Sequence, residues 1–105
     1  MMASLEGKWK LIVKTFMGDM RSLHELKVKG TKVTGIVIDI GTGNKGKVED
    51  GKLDGDSFSY SVTVNTPVGE MTNHLTGSVN AEGNMISGKS KNAMGEFEFS
   101  ASRVQ

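Results

Sequence analysis

The chain has 105 residues, which is enough for one domain but leaves little for a second hydrophobic core. Its 13 Lys and Arg residues against 12 Asp and Glu residues give a net charge of +1, which offers no argument for a nucleic-acid or anionic-membrane partner. Cysteine is absent, which excludes disulfides, thiolate chemistry and cysteine-based zinc sites.

We therefore predict a single domain over residues 1–105, with no cofactor, no metal site and no nucleic-acid or membrane partner. The N-terminal sequence MMASLEGKWK lacks the apolar segment of a signal peptide. No later apolar stretch reaches the length of a membrane helix. A cytoplasmic location is the expectation that follows.

Apolar and polar residues alternate along most of the chain, a pattern that predicts β-strands. The segment 57–64, SFSYSVTV, alternates without a break, and no segment shows a helical stripe. In chain order, the predicted strands are 8–16, 20–29, 32–40, 44–49, 57–65, 71–79, 85–91 and 96–104. Regularly spaced strands with short turns predict an all-β fold: an up-and-down antiparallel barrel of about eight strands, whose closure removes exposed sheet edges.

The predicted turns set the strand pairing. Three of them share the pattern apolar, Gly, acid, apolar, at 17–20, 68–71 and 94–97. A Gly followed by a polar residue suits the two loop positions of a type II′ hairpin. Together with a turn at Gly30-Thr31, these loops predict the pairs Val13 with His24, Ser22 with Asp39, Val64 with Leu75 and Asn92 with Phe99.

Two Asp-Gly pairs follow the fourth predicted strand. Asp50-Gly51 is predicted to form a type I′ turn, and Asp54-Gly55 is predicted to mark a bulge. Both assignments end the fourth strand early, at residue 49.

The two ends of the sequence resemble the calycin superfamily, the lipocalins and their relatives. The residues that carry the resemblance are Gly7-Lys8-Trp9 on the first predicted strand and Arg103 on the last. The resemblance implies that the Trp closes the narrow end of a barrel, that the Arg packs across it, and that a small apolar molecule binds in the open end. The chain is also similar to short bacterial β-barrel domains of unassigned role, through Thr34-Gly35, Thr76-Gly77 and Ser87-Gly88.

The alternation assigns residues to the two ends of the barrel interior. The closed end is predicted to contain Trp9, Leu11, Leu26, Phe58, Phe99 and Arg103. The inward glycines Gly35, Gly77 and Gly88 are predicted either to make room for the Trp and Phe rings or to let the strands bend at this end. The open end is predicted to be a cup that binds the ligand, lined by Val13, Thr15, Met20, Ser22, His24, Asp39, Tyr60, Val62, Met71, Asn73 and Phe97. Unpaired polar groups are costly inside a filled core, so the polar members of this set favour an open cup.

Three functions remain open at this point. The first is binding of a small, mostly apolar molecule in the cup. The second is an enzyme of the isomerase, cyclase or hydrolase type, in which His24 and Asp39 transfer protons and Tyr60 is a further catalytic candidate, because a carboxylate beside an imidazole raises its basicity. The third is a structural or interaction domain with a filled barrel. Protonation of His24 between pH 5 and 8 is expected to change the affinity for an ionised ligand.

An apolar set lies on the outward face of the first three predicted strands. Its members are Ile12, Leu23, Ile36 and Ile38. Exposed apolar clusters on small proteins often mark an interface, so this set predicts a homodimer.

Overall fold

A closed antiparallel β-barrel with up-and-down topology is what the computed structural model shows for residues 5–66 and 69–104, the part of the chain that it describes. This confirms the predicted fold class. The strands are β1 (Gly7–Thr15), β2 (Gly18–Lys29), β3 (Lys32–Asp39), β4 (Lys45–Asp54), β5 (Ser57–Thr66), β6 (Gly69–Val79), β7 (Met85–Asn92) and β8 (Gly95–Arg103). Over the described ranges, no helix is long and apolar enough to cross a membrane.

The alternation of the sequence is reproduced as alternating burial. On β1, Trp9 and Leu11 are buried while Lys8 and Lys10 are exposed. On β5, Phe58, Tyr60 and Val62 of the unbroken alternating segment are buried as well. A period of two residues puts successive side chains on opposite faces of a sheet, so one face of each strand fills the barrel and the other meets solvent.

The closed end is built around Trp9, which is fully buried. The guanidinium carbon of Arg103 lies 4.3 Å from the centroid of the Trp9 ring, within range of a cation–π contact. Trp9 and Arg103 are also direct partners across β1 and β8. The predicted contact between these two residues is therefore confirmed.

A segment before β1 completes this end, which the alternation did not predict. Leu5 is buried, and its carbonyl accepts a 2.9 Å hydrogen bond from Trp9 Nε1. Arg103 donates to the carbonyls of Glu6 and Gly83, at 2.6 and 3.0 Å. Backbone carbonyls thus hold the guanidinium group of Arg103 over the plug, by which we mean the residues buried around Trp9 at the closed end.

Gly77 shows why a strand interior here carries no side chain. A Cβ at this position would lie 3.0 Å from Phe58 Cζ and 3.1 Å from Phe99 Cζ, closer than ordinary packing allows. Gly77 also pairs directly with Gly88 on β7. The missing side chain of Gly77 is what admits the two rings, as predicted, whereas a Cβ at Gly88 would meet the backbone of Thr76 and Gly77.

The hairpin register differs from the prediction at the apolar-Gly-acid turns. Residues 16–17 form the first turn, and Gly18, with a φ of 111°, already belongs to β2 and pairs with Thr15. A glycine with positive φ directly after the turn is typical of a type I turn followed by a G1 bulge, whereas the prediction assumed a type II′ loop. Val13 therefore pairs with Met20, and the predicted pairing with His24 is wrong.

The same correction applies to two further hairpins. Val64 pairs with Met71 rather than Leu75, and Asn92 pairs with Gly95 rather than Phe99. Val68, the first residue of the second turn pattern, lies outside the described residues. Each partner is displaced by an even number of residues, so every side chain keeps its predicted face.

The Gly30-Thr31 turn is confirmed. It pairs Ser22 with Asp39, as predicted. Positive φ at Gly30, 62°, fits the first position of a two-residue hairpin loop.

The two Asp-Gly pairs exchange their predicted roles. β4 continues through Asp50, where φ is 53° and the register with β5 shifts, so Asp50-Gly51 is a bulge. The turn lies at 55–56, where Gly55 has a φ of 61° and Asp54 pairs with Ser57. Asp and Gly both tolerate the left-handed conformation, so either Asp-Gly pair fits a turn or a bulge. Which pair forms the turn is decided by the length of the neighbouring strand.

Candidate functional site

A cavity of about 300 Å³ occupies the end of the barrel opposite Trp9. Its walls are largely apolar, with Leu11, Val37 and Leu75 among the deeper residues. Met20, Thr42 and Asn44 lie towards the mouth, beside the turns that follow β1 and β3. Alternate turns of an up-and-down barrel lie at the same end, which is why these turns surround one opening.

The residues predicted for the cup lie around this cavity, with one exception. Val13, Thr15, Met20, Ser22, His24, Asp39, Val62, Met71, Asn73 and Phe97 line it. Tyr60 does not; it is buried in the core, where its ring stacks on Phe58. That these residues bind a ligand stays a prediction.

Ten further described residues line the cavity that the sequence analysis did not assign to it, and one of them, Leu11, was predicted for the closed end. They are Leu11, Arg21, Val37, Thr42, Asn44, Val64, Asn65, Leu75, Ser90 and Asn92. The inward parity of β7 was a usable signal for Ser90 and Asn92. The positions of Thr42, Asn44 and Asn65 depend on how the rim turns fold, which alternation does not describe.

His24 forms the centre of a polar chain at the floor of the cavity. Its Nε2 lies 2.9 Å from Ser22 Oγ, and its Nδ1 lies 2.7 Å from the hydroxyl of Tyr60. A neutral imidazole offers one donor and one acceptor, and each hydroxyl can serve as either. Both ring nitrogens of His24 are therefore satisfied by these two hydroxyl groups. His24 is also the cross-strand partner of Trp9, which places it at the level of the plug.

Burial perturbs both titratable groups of this chain. Loss of hydration lowers the pKa of His24 to about 4 and raises the pKa of Tyr60 above its usual value. At neutral pH both side chains are therefore uncharged. The predicted titration of His24 between pH 5 and 8 is corrected to a lower range.

Asp39 does not contact His24, and the predicted pair of imidazole and carboxylate is wrong. Asp39 Oδ1 instead accepts hydrogen bonds from the backbone amides of Gly41, at 2.8 Å, and Thr42, at 3.3 Å. An Asp side chain commonly bonds to the backbone two residues on, and the sequence Asp-Ile-Gly-Thr offered that signal. Asp39 shapes the turn at the mouth rather than orienting a base.

A second polar group lies on β6 and β7. Asn92 Nδ2 donates to Asn73 Oδ1 at 2.9 Å, and Asn92 Oδ1 accepts from the backbone amide of Met94 at 2.8 Å. Ser90 is only 4% exposed and lines the cavity two residues deeper on the same strand. This wall faces the β2 wall across the barrel, because four strand positions separate β2 from β6 in the closed order.

The outward apolar set lies on one continuous surface. Leu23 on β2 is the direct partner of Ile38 on β3, and Ile36 follows on the same face of β3. Leu23 and Ile36 are 38% and 51% exposed, while Ile12 and Ile38 are half-buried. The set is therefore solvent-accessible in this single chain.

Comparisons with known proteins show a similarity in fold only. No protein-family model matches the chain, and no curated protein matches it significantly. Among solved structures, a redesigned beta barrel is similar to it, with a TM-score of 0.76, 13% sequence identity, and coverage of 96% of this chain and 92% of that chain. At this identity the likeness supports the β-barrel fold and carries no function with it.

Proposed function

We propose that this protein binds one small, mostly apolar molecule in the open end of its barrel. The observation that carries the proposal is the cavity of about 300 Å³, which sits above a tightly filled plug and opens between the rim turns. Ligand sites are typically apolar concavities of about 300–1,000 Å³ that contain a few polar groups. The volume lies at the lower end of that range, which favours a ligand smaller than most drugs.

The resemblance to the calycins supports the same location for the ligand. Trp9 and Arg103 meet at one end, as that resemblance implies, and the cavity occupies the other end. No family model supports the assignment to the calycins themselves, so this part of the proposal depends on the two ends of the chain alone.

The alternatives receive less support. Proton transfer by His24 lacks the carboxylate partner, and both ring nitrogens are already occupied by Ser22 and Tyr60. A buried imidazole whose pKa is about 4 is a weak general base at neutral pH. A structural domain with a filled barrel would not need an apolar opening of this size.

Binding of N-phenyl-1-naphthylamine, an uncharged apolar fluorophore, tests the proposal. We expect one site per barrel, and we expect Val62→Phe to weaken binding more than about 10-fold, because Val62 lines the cavity and the larger ring occupies ligand space. Thr63→Phe is the matched control, since Thr63 is the next residue on β5 and faces outward. Fluorescence titration gives both dissociation constants. Equal affinity in the two variants, or no binding of any apolar fluorophore to the unmodified protein, would overturn the proposal.

We also propose that a second copy of the chain covers the outward apolar set of Ile12, Leu23, Ile36 and Ile38. The set is bordered mainly by cations, since Leu23 pairs with Lys10 and Ile38 pairs with Lys45, while Glu25 is the acidic partner of Ile36. Bringing two copies together places like charges near each other, so the dimer should become tighter as salt screens them. Apolar contact at the centre would supply the attraction.

Sedimentation equilibrium at low and high salt tests this association. Ile38→Lys is expected to give a folded monomer, because a lysine is tolerated at an exposed strand position but not in an apolar interface. Thr76→Lys adds the same side chain on β6, outside the apolar set, and should leave the dimer intact. A monomeric unmodified protein at high concentration would contradict the proposal.

A further inference from the structure

We propose that the cavity selects uncharged ligands that carry a carbonyl oxygen, as in a ketone, ester or amide, and that Asn73 Nδ2 and Ser90 Oγ donate the hydrogen bonds that bind this oxygen. The inference rests on the proposed binding function and names the chemical class of its ligand. It is carried by two polar side chains on one wall of the cavity whose donor groups have no partner among the described residues.

The orientation of Asn73 is determined by a chain of hydrogen bonds that begins at the backbone. The amide of Met94 can only donate, so the atom of Asn92 that faces it must be Oδ1. Asn92 then donates from Nδ2 to Asn73, so the atom of Asn73 that accepts this hydrogen bond must be Oδ1. The Nδ2 of Asn73 is left with two N–H donors and no acceptor in the described protein.

Ser90 adds a second donor at a deeper level of the same wall. It is the cross-strand partner of Leu75, and Asn73 is two residues from Leu75 on the same face of β6, so Asn73 and Ser90 are diagonal neighbours. Ser90 is 4% exposed, lines the cavity and makes no side-chain hydrogen bond to a described residue. Two donors at neighbouring positions match the two lone pairs of one carbonyl oxygen.

Both donors are accessible from the cavity rather than sealed in the wall. Among the described residues, no fully buried side-chain nitrogen or oxygen lacks a hydrogen-bond partner. Asn73 Nδ2 and Ser90 Oγ have none, so each must reach open space, and both residues line the cavity. On the facing wall, in contrast, Ser22 and His24 bond to each other, and His24 bonds to Tyr60.

The charges around the cavity favour a neutral oxygen over a carboxylate. Arg21 is the cation among the described lining residues, and it lies on β2, four strand positions from β6. Asp39 contributes a carboxylate near the mouth. An anionic head placed beside Asn73 and Ser90 would lose its hydration without gaining a cationic partner, which is costly, whereas a carbonyl needs only the two donors.

Three naphthalene fluorophores distinguish these ligand classes. The first, 6-propionyl-2-dimethylaminonaphthalene, carries a ketone whose emission moves to shorter wavelength when it loses a hydrogen-bond donor. The second, 6-dimethylamino-2-naphthoic acid, is ionised at pH 7. The third, N-phenyl-1-naphthylamine, has no carbonyl. We expect the ketone to bind at least about 10-fold more tightly than the carboxylate.

Two independent variants test the donors with the ketone. Ser90→Ala removes one hydrogen bond and should weaken binding by about 3- to 10-fold. Asn73→Asp can still accept from Asn92 but places an acceptor where the free donor was, and should weaken binding by more than about 10-fold. In both variants the emission of bound ketone should move to shorter wavelength. The matched controls are Ser87→Ala on the outer face of β7 and Thr72→Asp on the outer face of β6, which add no change inside the cavity.

The outcomes separate this inference from the proposed function. If neither N-phenyl-1-naphthylamine nor the ketone binds the unmodified protein, the binding function itself is wrong. If it binds, but the ketone binds both variants as tightly as the controls with unchanged emission, the cavity binds ligands and the donors on β6 and β7 do not recognise them. Equal affinity for the carboxylate and the ketone would overturn the selection for uncharged ligands.

Discussion

Replacing Trp9 with alanine is expected to lower the free energy of unfolding by about 3–5 kcal/mol, the range seen for large aromatic truncations in cores. The ring is 0% exposed, and Arg103 lies over one of its faces. The substitution also removes the donor to the Leu5 carbonyl, so the segment before β1 loses its contact with the plug. Urea unfolding followed by circular dichroism measures the change.

Phe16→Ala is the matched control for this result. Phe16 is an aromatic residue in the turn that follows the same strand, and it is 74% exposed. Substitutions at such positions usually change stability by less than about 0.5 kcal/mol. A loss below about 1 kcal/mol for Trp9→Ala would mean that the plug does not stabilise the barrel as the structure indicates.

Acidification is expected to destabilise the protein through His24. The pKa of His24 is about 4 in the folded chain against 6.5 for the free side chain. Between these values the unfolded chain binds a proton that the folded chain does not, so stability is fully present above about pH 6.5 and falls as the pH drops towards 4. The shift corresponds to a loss of about 3 kcal/mol from this group.

His24→Gln isolates this contribution from that of the carboxylates. Glutamine keeps a donor and an acceptor near Ser22 and Tyr60 but does not titrate. The difference in unfolding free energy between the two proteins, measured by urea unfolding from pH 7.5 to 4, should shrink by about 3 kcal/mol as the pH falls. Parallel pH profiles would show that His24 titrates normally and is not desolvated.

Which side chains point into the barrel could be predicted from alternation alone. Whether a side chain on these strands points inward depends on its parity, and the unbroken pattern of segments such as 57–64 determines parity without knowledge of the partner strand. The plug around Trp9 and half of the described cavity lining could therefore be placed from the sequence. Tyr60 was placed inward correctly, but it belongs to the buried core and not to the cavity lining, which depends on how the neighbouring residues pack.

The contacts within the cavity followed only from the tertiary structure. Asp39 and His24 are both inward and lie on paired strands, yet the carboxylate bonds to the nearby amides of Gly41 and Thr42. A hydrogen bond to a backbone amide two residues away requires no closure of a long loop. It is therefore favoured over a hydrogen bond to a side chain on the next strand. The partner that His24 does find is Tyr60, which is distant in sequence and reaches it only because the barrel closes.

The sequence by itself determined the strand count, the inward and outward faces and the two unlike ends of the barrel, because these depend on a period of two and on turn spacing. The register of three hairpins was decided by backbone conformation at the turns, where Gly18 and Gly95 adopt positive φ after the loop rather than within it. The open donors of Asn73 and Ser90 were decided by tertiary structure as well. Which polar atoms are left without a partner depends on all the hydrogen bonds around them, and a local sequence pattern does not contain this information.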